Sequence, residues 1–151
     1  MTIIVPSTEA ELTAHYESRY ETLRLPWGQP PGSEREGLEN DNILASAINN
    51  SGQVIGVARM LPLGTDAVQI RSMGVSNRAR GQGVGKALLA FLETKARNRG
   101  IIRIVLQARE NAVHFYQAAG YTVLEESYLL WGVIQHYKME KWLKLSTEYN
   151  S

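Results

Sequence analysis

The segment Arg80-Gly81-Gln82-Gly83-Val84-Gly85-Lys86 constrains this chain more than any other stretch. It follows a strand-like run, Val68 to Val75, and precedes a helix-like run, Lys86 to Arg99. A glycine-rich turn that opens a helix is an anion site. The first backbone N–H groups of a helix have no internal partner, and the helix dipole places partial positive charge there. Glycines at 81, 83 and 85 let the backbone close on a ligand without Cβ clashes. Arg80 and Lys86 bracket the turn with positive charge, so the expected ligand carries phosphates. The plain alternative is an ordinary glycine-rich turn leading into a helix.

Spacing narrows the ligand. A P-loop needs a glycine where Arg80 stands and a hydroxyl where Ala87 stands. A dinucleotide fingerprint needs its third glycine where Lys86 stands. What fits is Q/R-x-x-G-x-G/A, read as Arg80 to Gly85.

The rest of the chain sets limits on class. Its 151 residues suit one domain, and 44% hydrophobic with 21% charged residues is ordinary for a globular protein. A formal net charge of +1 gives no basic excess for nucleic acid, so no nucleic-acid partner is expected. No apolar run has the length of a membrane span, and Met1 to Pro6 lacks the features of a signal peptide. The absence of cysteine excludes disulfides, thiolate metal sites and a cysteine nucleophile. The expectation is a cytoplasmic protein with no membrane partner and no metal.

Ser7 to Glu11 opens a helix with Thr8 and Glu11 in capping-box spacing, and Leu12, Tyr16, Tyr20 and Leu23 form an apolar stripe ended by Pro26. Residues 26–33 read as a loop, with Ser33 and Glu36 as caps of one short turn. Asn42 to Ile48, Gln53 to Leu61 and Ala67 to Val75 read as an antiparallel meander. The helix after the glycine loop places Val84, Leu88, Phe91, Leu92 and Ala96 on one side and stops at Gly100. Ile101 to Leu106 is a continuous apolar strand, and strand, crossover helix and buried strand imply a parallel pair. A short helix from Asn111 to Ala119 and two strands, near 121–130 and 133–141, complete the chain.

Together with the glycine loop, the segment Asn111-Ala112-Val113-His114-Phe115-Tyr116-Gln117-Ala118-Ala119-Gly120-Tyr121 resembles the paired signatures of the GNAT N-acetyltransferase superfamily. The two signatures span roughly residues 67–121, and the stretch from Leu23 to Glu34 is similar to small uncharacterised bacterial members. One departure is that Ala112 directly follows Asn111. The resemblance implies a single α/β domain over residues 1–151, with a mixed, mostly antiparallel sheet flanked by helices and splayed at the cofactor site. It implies acetyl-CoA as cosubstrate and a small-molecule or peptide amine as acceptor, with direct attack in a ternary complex. A homodimer is compatible with it.

The resemblance also assigns roles. Met73, Gly74 and Val75 would bond pantetheine, with the Met73 N–H as oxyanion donor. Arg80, Gly81, Gln82, Gly83, Val84, Gly85 and Lys86 would hold the pyrophosphate. Asn111 would lie near the cofactor chain, and Tyr116 would protonate the departing thiolate. Plain readings stand beside these: Gly74 as a bulge or a packed strand glycine, Asn111 as a helix cap, Tyr116 as a core tyrosine. Phe115 reads as core, and His114 receives no role. On the acceptor side, Arg59 and Arg71 could clamp an anionic substrate or pair with surface acids. His136 is the candidate base or a half-exposed strand histidine. Trp27 lines the pocket or seals its loop. Glu34 and Glu36 read as capping residues. Two rival functions remain at this level: a non-catalytic CoA-binding regulatory module, and an acetyltransferase acting on charged tRNA.

Overall fold

Thr8 starts the first helix, α1 (Glu9–Leu23). Its hydroxyl accepts from the Glu11 N–H, and the Glu11 carboxylate accepts from the Thr8 N–H, so both halves of the capping box form. The computed structural model describes residues 1–35, 37 and 39–144; Glu36, expected as a cap, lies outside the described residues. α1 stops before Pro26, which lacks an N–H, and Leu25–Trp27 continue as a 3-10 turn. The buried face of α1 departs from the expected stripe. It consists of His15, Ser18, Arg19 and Leu23. Tyr16 and Tyr20 are half-buried, because the segment that α1 packs against presents polar partners that reward a polar face.

The strands are β1 (Thr2–Ile4), β2 (Ile43–Ile48), β3 (Val54–Leu63), β4 (Ala67–Val75), β5 (Arg103–Arg109), β6 (Thr122–Leu130) and β7 (Ile134–Trp142). Two further helices are α2 (Val84–Asn98) and α3 (Val113–Ala118). β1 had no sequence expectation; it is a three-residue strand. The hydrogen-bonded order is β1-β2-β3-β4-β5-β7-β6. β4 and β5, joined through α2, pair in parallel from Ala67↔Arg103 to Ile70↔Leu106, as a crossover helix requires. That ladder ends there, although β4 continues to Val75 and β5 to Arg109. The other described ladders, β1–β2, β2–β3, β5–β7 and β6–β7, are antiparallel. The fold is therefore α/β with a mixed, mostly antiparallel sheet flanked by helices.

The chain groups into two compact units. The first comprises Met1–Leu61 and Ser72–Thr94. Its core holds Ala45, Ala47, Val57, Ala58 and Met60 from the strands and Val84, Leu88 and Leu92 from α2. Burying each such leucine contributes about 1.5–3 kcal/mol. Two glycines set how closely its helices approach. A Cβ on Gly56 would sit 2.6 Å from Val84 Cγ1 and 3.1 Å from Leu88 Cδ1, and one on Gly74 would collide with Thr22 and Leu23 of α1. α2 ends as expected, with Gly100 at φ +75° and the Ile101 N–H returning to Ala96 O at 3.0 Å.

The second unit comprises Pro62–Arg71 and the chain from Lys95 onward. β5 is its centre, with Ile104, Leu106 and Ala108 buried beside Met139 of β7. β7 runs antiparallel along β5 from Arg103↔Trp142 to Arg109↔His136. β6 lies at the edge of the sheet and is largely exposed. Among the described residues, no helix is long and apolar enough to cross a membrane.

Candidate functional site

In the first unit the glycine loop is built by backbone conformation. Ser76 N–H bonds Ile55 O at 2.9 Å, which ties the end of β4 to β3. A 3-10 turn, Asn77–Ala79, leads to an extended Arg80. Gly81 and Gly83 both take φ +77°, a region that L side chains avoid. A Cβ on either would meet nothing within 4 Å. Glycine is thus demanded by the turn itself, and the space above the loop backbone is open. The Ala87 N–H bonds Gly83 O at 3.0 Å, so the helical bonds of α2 begin at Gly83. The N–H groups just after it belong to the first turn, which has no intrahelical partner. Arg80, Gly81, Gln82, Gly83 and Lys86 are exposed, whereas the Val84 side chain is buried and leaves only its backbone for a ligand. Gln82 is tied back weakly, its Nε2 donating to Arg78 O at 3.4 Å.

Just before the loop, β4 has an irregularity. Gly74 is packed against Thr22 and Leu23, the plain reading of that residue. The left-handed residue is Ser72, at φ +54°. It immediately precedes Met73, which is half-buried along with Val75.

The second unit holds the Asn111–Tyr116 segment. Asn111 is exposed in a 3-10 turn, Glu110–Ala112, with no side-chain cap bond, so the helix-cap reading is corrected: α3 starts after Ala112. Tyr116 is the buried residue of α3. Its ring meets Phe115 and Tyr121 edge-on at 5.0 and 5.8 Å. Burial pushes its hydroxyl up to about 12, and only Arg109 opposes that shift. Phe115, expected in the core, is 37% exposed.

His136 is buried, which corrects the half-exposed reading. Tyr128 stacks on it at 4.4 Å. Its Nδ1 lies 2.9 Å from Ile134 O; a carbonyl only accepts, so Nδ1 carries the proton and Nε2 holds the lone pair. Burial lowers its pKa first, and the Arg109 charge lowers it further, against the raising effect of the Ile134 bond. Arg109 therefore acts on both Tyr116 and His136. The sequence reading missed Arg109. A charge closing an apolar strand just before the Asn111 segment was the available signal.

The arginine clamp is corrected at Arg59. This residue is 3% exposed, and it donates Nε to Ser72 Oγ at 3.1 Å and Nη1 to Asn42 Oδ1 at 2.9 Å. Glu39 Oε2 lies 3.7 Å from Nη1. Arg59 is spent on internal partners. Arg71 is half-buried on β4, and Trp27 is 42% exposed on its 3-10 turn rather than sealed down. Glu34 is buried, its Oε1 accepting from Gly32 N at 2.8 Å.

The polar face of α1 joins the same network. Arg19 Nη1 donates to both Glu39 oxygens at 3.0 and 2.9 Å, and Tyr16 donates to Oε1 at 3.2 Å. Arg19 Nη2 donates to His15 Nε2 at 3.1 Å, which leaves the His15 proton on Nδ1 for Ser46 Oγ at 2.9 Å. Burial first, then the Arg19 and Arg59 charges, lower the His15 pKa to about 3, with Glu39 opposing. These residues also escaped the sequence reading, although the 15, 18, 19 spacing on one helix face was a signal.

The sequence profile of the acetyltransferase (GNAT) family matches residues 11–121. The chain is 32% identical over 80 residues to rat N-acetyltransferase family 8 member 2, covering 48% of this chain and 35% of that protein. It is 31% identical over 88 residues to rat N-acetyltransferase 8, covering 53% of this chain and 40% of that one. The chain thus spans well under half the length of the curated relatives it matches. Among solved structures, an acyl-CoA N-acyltransferase from Pseudomonas aeruginosa superposes with TM-score 0.77 at 26% identity, over 93% of this chain and 97% of that one. An aminoglycoside 6'-N-acetyltransferase complexed with coenzyme A superposes with TM-score 0.78 at 16% identity, over 94% and 97%. The latter likeness concerns the fold.

Proposed function

The chain belongs to the acetyltransferase (GNAT) family, and from that premise we propose that it transfers an acetyl group from acetyl-CoA to an amine by direct attack. The observation that carries the reading is the loop that opens α2. Its two left-handed glycines have open space around them, and it is flanked by exposed Arg80 and Lys86. That donor set is backbone N–H plus cation, which suits a diphosphate.

Acetyl-CoA supplies an acyl thioester. An amine nitrogen bonds the carbonyl carbon, the C–S bond breaks with its electron pair on sulfur, and the amine loses a proton. The protein must then supply a donor for the carbonyl oxygen, a donor for sulfur and an acceptor for the amine proton. The Met73 N–H is the proposed first donor. Tyr116 is the second. With its pKa near 12 it is fully protonated at neutral pH. Full transfer to an alkyl thiolate, of pKa about 8.5, is uphill by about 5 kcal/mol. Tyr116 therefore acts as a hydrogen-bond donor to the developing thiolate more than as a complete acid. His136 Nε2 is the proposed acceptor for the amine proton, directly or through water. The acceptor is a small-molecule or peptide amine, and half-buried Arg71 on β4 is the proposed contact for an anionic group on it.

The test is calorimetric titration with acetyl-CoA, alongside CoA release across a panel of primary amines. Gly83→Val forces a β-branched residue to a left-handed φ and fills the space above the loop. Affinity should fall by about tenfold or more in a folded variant, since closing one backbone contact to a phosphate removes a charge-assisted bond. Equal affinity in folded Gly83→Val would refute the loop assignment.

A further inference from the structure

Ser72 breaks the regular run of β4. An L-residue in a strand prefers an extended backbone, and a left-handed one is held there by its surroundings. Here φ is +54°, and the Ser72 Oγ accepts the Nε–H of Arg59. Arg59 is fixed from its other side. Asn42 Oδ1 accepts from its Nη1, and the Glu39 carboxylate beside it is clamped by Arg19 and Tyr16. Arg19 is itself braced by His15, and His15 by Ser46. The guanidinium is therefore a rigid post, reached by a chain of contacts from α1. The peptide that follows Ser72 carries the Met73 N–H, and its plane is set by the Ser72 dihedral angles.

We infer that Arg59 is a positioning residue: through Ser72 Oγ it locks the left-handed turn of β4 and so aims the Met73 N–H. The consequence for turnover rests on the acyl-transfer reading; the lock itself does not. A glycine at this place would take the conformation unaided. The chain has serine instead and so depends on its partner.

The experiment uses isotope-labelled full chain and reads the amide-to-Hα scalar coupling at residue 72. In Arg59→Gln the coupling should move from the left-handed to the extended-strand value, and the Met73 amide resonance should shift. Ser72→Ala, which removes one oxygen and keeps Arg59, should do the same and serves if Arg59→Gln does not fold. With acetyl-CoA and the primary-amine panel, Ser72→Ala should lower kcat about 10- to 10²-fold, with KM for acetyl-CoA within about threefold. Ser72→Gly should keep kcat within about threefold of the parent, because glycine needs no lock. A left-handed coupling retained in both Arg59→Gln and Ser72→Ala overturns the inference. So does a Ser72→Gly loss equal to that of Ser72→Ala. If the parent releases no CoA with any amine, the acyl-transfer reading falls, and the coupling at residue 72 still decides whether Arg59 holds the turn.

Discussion

His15 should make the stability of this protein fall steeply in mild acid. The ring is fully buried and neutral, with a pKa lowered from 6.5 to about 3 by burial and by two arginines. Between those values the unfolded chain binds a proton that the folded chain does not, so stability rises with pH across the window and is lost as pH falls through it. The full span is worth about 5 kcal/mol at 1.36 kcal/mol for each unit. At pH 5 the loss relative to pH 7.5 is about 2 kcal/mol, since the unfolded histidine is then almost wholly charged. His15→Gln is the informative change. Its carbonyl can accept from Arg19, and its amide can donate toward Ser46, but it does not titrate. Urea unfolding at pH 7.5 and 5.0 would give the free-energy drop for each protein. His136 is shifted the same way and contributes to both, so the quantity of interest is the difference between the two drops. The parent should lose about 2 kcal/mol more than His15→Gln. An equal drop in the two proteins would show that His15 is not held neutral, and the assignment of its Nε2 as acceptor from Arg19 would go with it.

Three further outcomes are expected. Gly74→Ala should destabilise by about 1–3 kcal/mol or more in thermal or urea melts, because the new methyl meets Thr22, whose hydroxyl is anchored on Ser18 O at 2.8 Å. An unchanged midpoint would mean that β4 gives way freely. Tyr116→Phe should keep the fold and acetyl-CoA affinity while kcat falls about 10- to 10²-fold, the low end of what a positioned donor supplies. Full turnover, under conditions where chemistry limits the rate, would return Tyr116 to a core role. The alkaline limb of kcat should not carry a Tyr116 ionisation below about pH 10, given a pKa near 12. A limb in that range that vanishes in Tyr116→Phe would contradict the burial argument.

Much of the framework was legible because it depends on short-range chemistry. The Thr8–Glu11 box, the helix stop at Gly100 and the strand limits of Ala67–Val75 follow from hydrogen bonds and φ preferences within a few residues. The glycine loop belongs to the same class, since left-handed turns at Gly81 and Gly83 are a property of the residues that occupy them. The parallel pairing of β4 and β5 followed from a chirality and connection rule that needs only element order.

The tertiary structure decided what depends on distant partners. Arg59 reads as a substrate clamp until Ser72, Asn42 and Glu39 come to it, 13, 17 and 20 residues away along the chain. His15 and Arg19 stand outside the apolar stripe of Leu12, Tyr16, Tyr20 and Leu23, yet Ser46 and Glu39 make them part of the buried face of α1. Ser72 has no local reason to be left-handed, whereas Gly74, which has the freedom, is used for close packing against Thr22. Sequence alone determined where the backbone can turn, because that is a local cost. Which polar groups are spent inside the fold and which stay available for chemistry was decided by packing, because a buried donor or charge is tolerable only when a partner from elsewhere in the chain meets it.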